Sequence, residues 1–135
     1  MLLEKRRILV FEDNPDNIRV MCIILEHEGA EVFIWAGGQK QDIVDLLPLA
    51  VIILDLMMPG KYTGFEVFRQ IRSIPELSNI PIVAVSAMDT SVALPQAQEL
   101  GFSGFISKPI SMDLFPEQIH KIISGEEVWP LGPKP

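Results

Sequence analysis

Val51-Ile52-Ile53-Leu54-Asp55-Leu56-Met57-Met58-Pro59 is an apolar run broken by one carboxylate and closed by proline, with Gly60 following. A run of this length, rich in β-branched residues and bounded by turn formers, predicts a strand buried on both faces. Asp55 then stands at its carboxyl end. Parallel strands of an α/β sheet present their carboxyl tips along one edge, so polar residues ending other strands would gather beside Asp55.

The chain has 135 residues, 48% of them hydrophobic, and a formal net charge of −7. That length suits one domain able to build a core without disulfides or a structural metal. A mean hydropathy of +0.29 opposes disorder and suits a sheet covered on both sides. The acidic balance argues against non-specific binding to nucleic acid or to an anionic membrane. Cys22 is the single cysteine, so neither an internal disulfide nor a thiolate zinc site is expected, as in a reducing compartment. The first apolar segment is too short for a signal peptide or a membrane span, and a cytoplasmic location follows by default.

Taken in order, residues 8–11 predict a buried first strand that stops at Glu12-Asp13-Asn14-Pro15. Asp13 or Asn14 can cap the following helix, with Pro15 in its first turn and Ile18, Met21, Cys22 and Leu25 at helical spacing over residues 15–28. Residues 31–35 read as a second strand, Gly37-Gly38 as its break, and residues 40–47 as a weaker helix ended by Pro48. After the Asp55 strand, Phe65, Phe68 and Ile71 lie opposite Glu66, Arg69 and Arg72, an amphipathic helix over residues 64–73. Residues 82–85 form a fourth strand ending in Ser86. The helix over residues 91–100 contains Pro95, which places its regular part from about Ala93 or Leu94 onward, with Gly101 as its stop. Residues 104–107 form a fifth strand ending in Lys108-Pro109. Asp113 is the expected cap of a last helix over residues 114–124. Residues 126–135, with three prolines, read as an extended tail, leaving residues 1–125 as the domain. Five strand–helix repeats with short connections predict a doubly wound parallel sheet with helices on both faces.

The carboxyl edge of that sheet collects Glu12, Asp13, Asp55, Ser86 and Lys108. Three carboxylates in one cleft repel one another unless a cation joins them. Hard oxygen donors with no histidine nearby in sequence favour Mg²⁺. Lys108 brings a compact positive charge and Ser86 a hydroxyl, both suited to phosphoryl oxygens. Asp55 can then act as a carboxylate nucleophile that becomes an aspartyl phosphate.

At this point the chain resembles the receiver domains of two-component response regulators, over about residues 7–124. The likeness rests on an acidic pair after strand one (Glu12, Asp13), Asp-x-x-Met-Pro (Asp55, Met58, Pro59), Ser-Ala (Ser86, Ala87) and Lys-Pro (Lys108, Pro109). Each motif is weak singly; four in order at the ends of alternating strands are specific. The resemblance implies a flavodoxin-like sheet of order 2-1-3-4-5. It implies that Asp55 takes a phosphoryl group from a histidine kinase or phosphotransfer protein. Asp13, Asp55 and the Met57 backbone carbonyl would bind Mg²⁺, with Glu12 acting through water. Ser86 and Lys108 would hold the phosphoryl group, the Lys108–Pro109 bond would be cis, and Phe105 would be the switch aromatic. With no room for an effector domain in the tail, a stand-alone regulator is expected. Its signal would pass to a protein through the fourth helix, fifth strand and fifth helix, from a monomer or a phosphorylation-dependent dimer, without nucleic acid or membrane.

Two departures stand out. The loop from Pro59 to Gly64 is one residue longer than the commonest family form. Met57 and Met88, two residues beyond Asp55 and Ser86, are apolar where polar side chains can position a hydrolytic water, which suggests a long-lived phosphorylated state. Plainer readings exist for every residue taken singly: Asp55, Glu12, Asp13 and Ser86 as caps or loop residues, Lys108 as a surface lysine, Phe105, Trp35 and Cys22 as core, His27 and His120 as solvated. Among other functions, a small Mg²⁺-dependent phosphohydrolase using Asp55 lacks a second carboxylate two residues on. A flavin carrier would want a phosphate loop where Glu12-Asp13-Asn14-Pro15-Asp16 stands. A degenerate receiver would not carry the whole set.

Overall fold

The computed structural model describes residues 1–35, 40–57 and 63–130. Five strands, β1 (Arg7–Phe11), β2 (Glu31–Trp35), β3 (Val51–Asp55), β4 (Ile82–Ser86) and β5 (Gly104–Ser107), form one sheet of order β2-β1-β3-β4-β5. All four pairings are parallel, as in Ile8 opposite Val51 and Asp55 opposite Val85. Among the described residues five α-helices alternate with them, α1 (Pro15–His27), α2 (Lys40–Val44), α3 (Gly64–Arg72), α4 (Thr90–Leu100) and α5 (Phe115–Ile123), with a short 3-10 turn at Pro75–Leu77 before β4.

The strand period of two sorts the core into two layers. Leu9, Phe11, Ile52, Leu54, Ile82, Ala84 and Phe105 face α3 and α4, together with Phe65, Phe68, Ala93 and Ala97. Their neighbours Ile8, Val10, Val51, Ile53, Val83, Val85 and Ile106 face α1 and α5, with Met21, Leu25, Phe115 and Ile119. β3 and β4 are buried at every position, which is why their sequences are unbroken apolar runs rather than alternating ones.

Asn14 caps α1, its side chain accepting from the N–H groups of Asp16 and Asn17, and this leaves Asp13 for other work. Four expectations are corrected. α2 ends at Val44 and closes in tighter turns, with Leu47 N–H bonded to the Val44 carbonyl. α4 is regular from Thr90 despite Pro95. The Asp89 carboxylate binds the Ser91 N–H and hydroxyl, and both Ser91 and Pro95 face solvent, so water can satisfy the carbonyl that proline leaves unpaired. Asp113 does not cap α5; the cap position is Leu114, with no side-chain cap of its own, and Ser111 holds the turn leading in, its hydroxyl oxygen accepting from Leu114 N–H and its carbonyl from Phe115 N–H. His120 is half-buried, and its Nδ1 is out of solvent with no hydrogen-bond partner.

Residues 126–130 are attached to the sheet. Val128 pairs in parallel with Gly104, and Trp129 is buried in the α3–α4 layer. The Gly37-Gly38 break, the Met58-Pro59 part of the motif, the lengthened loop and residues 131–135 lie outside the described residues.

Candidate phosphoacceptor site

Four strands end together. Glu12 and Asp13 follow β1, Asp55 closes β3, Ser86 closes β4, and Lys108 follows β5. The register sets Asp55 beside Val85 and Ser86 beside Ser107, so the polar tips share one edge.

Glu12 is 1% exposed, Asp55 4% and Ser86 fully buried, whereas Asp13 is exposed. Buried carboxylates must be bonded, and these are. Glu12 Oε1 accepts from the N–H groups of Asp13 and Asn14, each at 3.2 Å. Asp55 Oδ1 accepts from Met57 N–H at 2.9 Å. The second oxygen of each goes to one ammonium: Lys108 Nζ lies 2.9 Å from Glu12 Oε2 and 3.2 Å from Asp55 Oδ2. Burial pulls the Lys108 pKa down, but hydrogen bonding to Glu12, the charges of Asp55 and Glu12, and the bond to Asp55 outweigh it and hold the group above the ordinary lysine value. Lys108 is therefore charged throughout the neutral range.

Glu12, Asp13 and Asp55 each bring one carboxylate oxygen within 4.8 Å of the others. Three hard oxygen donors, one of them exposed toward entering solvent, fit a divalent cation of the Mg²⁺ type. The Ser86 hydroxyl oxygen accepts from Met88 N–H at 3.1 Å, which leaves its proton for a second acceptor. The Lys108–Pro109 bond is cis, as is Leu47–Pro48.

Phe105, three residues before Lys108, is 1% exposed within the core. Met57 lies at the site through its backbone, while its side chain is 56% exposed; Met88 packs against the α3–α4 layer. Two contributors escape a residue-type reading. One is the trio of backbone N–H groups, from Asp13, Asn14 and Met57, that hold the carboxylates. The other is Gly64, where a Cβ would stand 2.5 Å from Leu56 Cα and 2.7 Å from the Asp55 carbonyl oxygen. The signal for Gly64 is its place directly after the Thr63 cap, whose hydroxyl accepts from Glu66 N–H.

A family model described as the response regulator receiver domain matches residues 8–120. Among curated relatives, the response regulator PleD of Caulobacter vibrioides is 36% identical over 110 residues, covering 77% of this chain and 23% of its own. Protein PilH of Pseudomonas aeruginosa is 26% identical, covering 88% of this chain and 98% of its own length. Among solved structures, the receiver domain of sensor histidine kinase PA1611 from Pseudomonas aeruginosa, with a magnesium ion in its active-site cleft, superimposes with a TM-score of 0.77 at 24% identity, covering 90% of this chain and 99% of that one. The chain spans between 7% and 26% of the length of the first curated relatives it matches. The chain belongs to the response regulator receiver domain family of two-component signalling. No helix among the described residues is long and apolar enough to cross a membrane.

Proposed function

We propose that Asp55 is the phosphoacceptor, taking a phosphoryl group from a histidine kinase or phosphotransfer protein. The observation that carries this reading is Lys108 Nζ, held between Glu12 and Asp55 at the edge where Ser86 also ends. An Asp55 carboxylate oxygen attacks phosphorus; the new P–O bond forms as the donor's P–N bond breaks and the imidazole leaves with its proton. Such transfer asks for alignment and charge neutralisation rather than covalent help. Lys108 moves its positive charge from the Asp55 carboxylate to the incoming phosphoryl oxygens, and the Ser86 hydroxyl donates to another. Asp13, Asp55 and the Met57 carbonyl would hold Mg²⁺, with Glu12 acting through water; when bound, the ion neutralises further phosphoryl charge. This is self-assisted phosphorylation rather than turnover of a substrate.

Phe105 and Ser86 form the switch pair in this reading, and the output is a change in the protein-binding surface of α4, β5 and α5. Because Met57 and Met88 offer no polar group to align water, the phosphoryl group is long-lived.

The test is intact-mass measurement after incubation with Mg²⁺ and a small acyl phosphate, for the parent and Asp55→Asn. The parent gains one phosphoryl group and the variant none. No gain in the parent, or an equal gain in the variant, refutes the assignment; many turnovers of donor would indicate a phosphohydrolase.

A further inference from the structure

The segment after α5 behaves in space as a sixth strand. Val128 O accepts from Phe105 N–H at 2.9 Å, and Val128 N–H donates to the Ser103 carbonyl at 3.2 Å. Adjacent side chains fall on opposite sides of the sheet, as in an added strand: Val128 packs on the α1–α5 layer and Trp129 enters the α3–α4 layer. Trp129 is 7% exposed, and its indole N–H donates to Glu127 Oε1 at 2.7 Å. β5 is shaped for this contact, since a Cβ on Gly104 would stand 2.5 Å from Val128 O. Beside it lies a cleft of about 570 Å³ whose lining includes Arg72, Glu126, Glu127 and Trp129; the Arg72 guanidinium itself donates to the Leu77 carbonyl at 3.0 Å and lies over the Phe68 ring.

We propose that the β5 edge is a strand-addition site which the chain fills with its own residues 127–129, and that on release it accepts a partner's extended segment of the same chemistry, an acidic residue followed by a β-branched and an aromatic one. Main-chain bonds to Phe105 and Ser103 give the affinity, and the Trp129 seat gives the selectivity. The inference does not depend on the chemistry at Asp55. A strap bonded by one bridge and one buried ring opens locally, without unfolding the sheet behind it.

Amide hydrogen exchange on the full chain tests the release. The Phe105 amide exchanges at least tenfold faster than the Val85 amide of central β4; exchange of both only at the rate of global unfolding overturns the proposal. The peptide Gly-Glu-Glu-Val-Trp-Pro, identical to residues 125–130, is then titrated into full-length Trp129→Ala and Val128→Pro. It binds at least one folded variant tenfold or more tighter than the parent, whose edge is already filled. No binding to either folded variant, or a parent that is a dimer with exchanged tails, overturns it. If neither variant folds, the exchange rates in the parent decide.

Discussion

Lys108 and Glu12, 96 positions apart in sequence, meet at 2.9 Å between Nζ and Oε2. Glu12 is itself pinned, its other oxygen held by two backbone N–H groups at the end of β1. The ammonium that reaches Asp55 is thus shared with a carboxylate held by two main-chain bonds.

Lys108→Met leaves the buried Glu12 carboxylate without its cation, which costs about 1–3 kcal/mol at neutral pH, measured by denaturant unfolding in chelator. Phosphorylation by acyl phosphate falls by about 10²-fold or more, as when one preorganised donor is lost. The pH dependence has a definite sign. Because the folded pKa of Lys108 is raised, its contribution is fully present below the unfolded value of about 10.4 and is lost as pH rises through the folded value. The parent therefore loses stability in that alkaline window more steeply than the variant. Parallel curves would contradict the geometry.

Asp13→Asn leaves the fold intact, because Asn14 caps α1 and Asp13 is exposed. It removes one of the three converging carboxylates. Mg²⁺ at about a hundred times its Kd stabilises the parent by about 2.7 kcal/mol, and the variant by much less at the same concentration. Thermal unfolding with and without Mg²⁺ measures both, and equal shifts would remove Asp13 from the site.

Gly64→Ala drives a methyl group into backbone, 2.5 Å from Leu56 Cα. No flexible side chain can yield there, so α3 moves from the end of β3 at a cost of about 1–3 kcal/mol. The shift is felt at Asp55, whose carbonyl is the second atom struck. Denaturant midpoint and phosphorylation rate should fall together; a stable variant with a normal rate would show that α3 does not set the site.

Met57→Asn changes a side chain that is mostly in solvent, so unfolding should be unchanged within about 0.5 kcal/mol. An amide at that position can align water, and the phosphoryl group is lost several-fold faster than from the parent, where it outlasts seconds in Mg²⁺ at neutral pH. Decay of the parent within seconds would end the case for the two methionines.

The sheet was legible because burial on both faces writes itself as unbroken apolar runs, clearest in β3 and β4. The polar edge was legible for the same reason: Asp55, Ser86 and Lys108 are where those runs stop. Capping was less so. Asp113 and Ser111 are both good caps by type, yet the cap position falls on Leu114, whose N–H turns back to the Ser111 hydroxyl. Pro95 argued for a late start to α4 because a missing N–H is visible in sequence, whereas solvent on Ser91 and Pro95 is not. His120 sits at a helical position compatible with solvent, and its burial comes from its surroundings in the fold. Val128 and Trp129 gave no signal at all. Two apolar residues among acids and prolines have no period, and their place is set by an edge of β5 more than twenty residues earlier.

That edge has a bearing on solubility. A parallel sheet of this kind ends in two margins of backbone groups, each able to recruit another chain. At β2 the margin carries Glu31, paired with Arg7 at 3.1 Å, and charge discourages stacking there. At β5 the covering is supplied by Val128. Cutting the chain at Gly125 would strip that margin and empty the hydrophobic seat of Trp129 in one stroke, so a shortened protein should self-associate at concentrations the longer one tolerates.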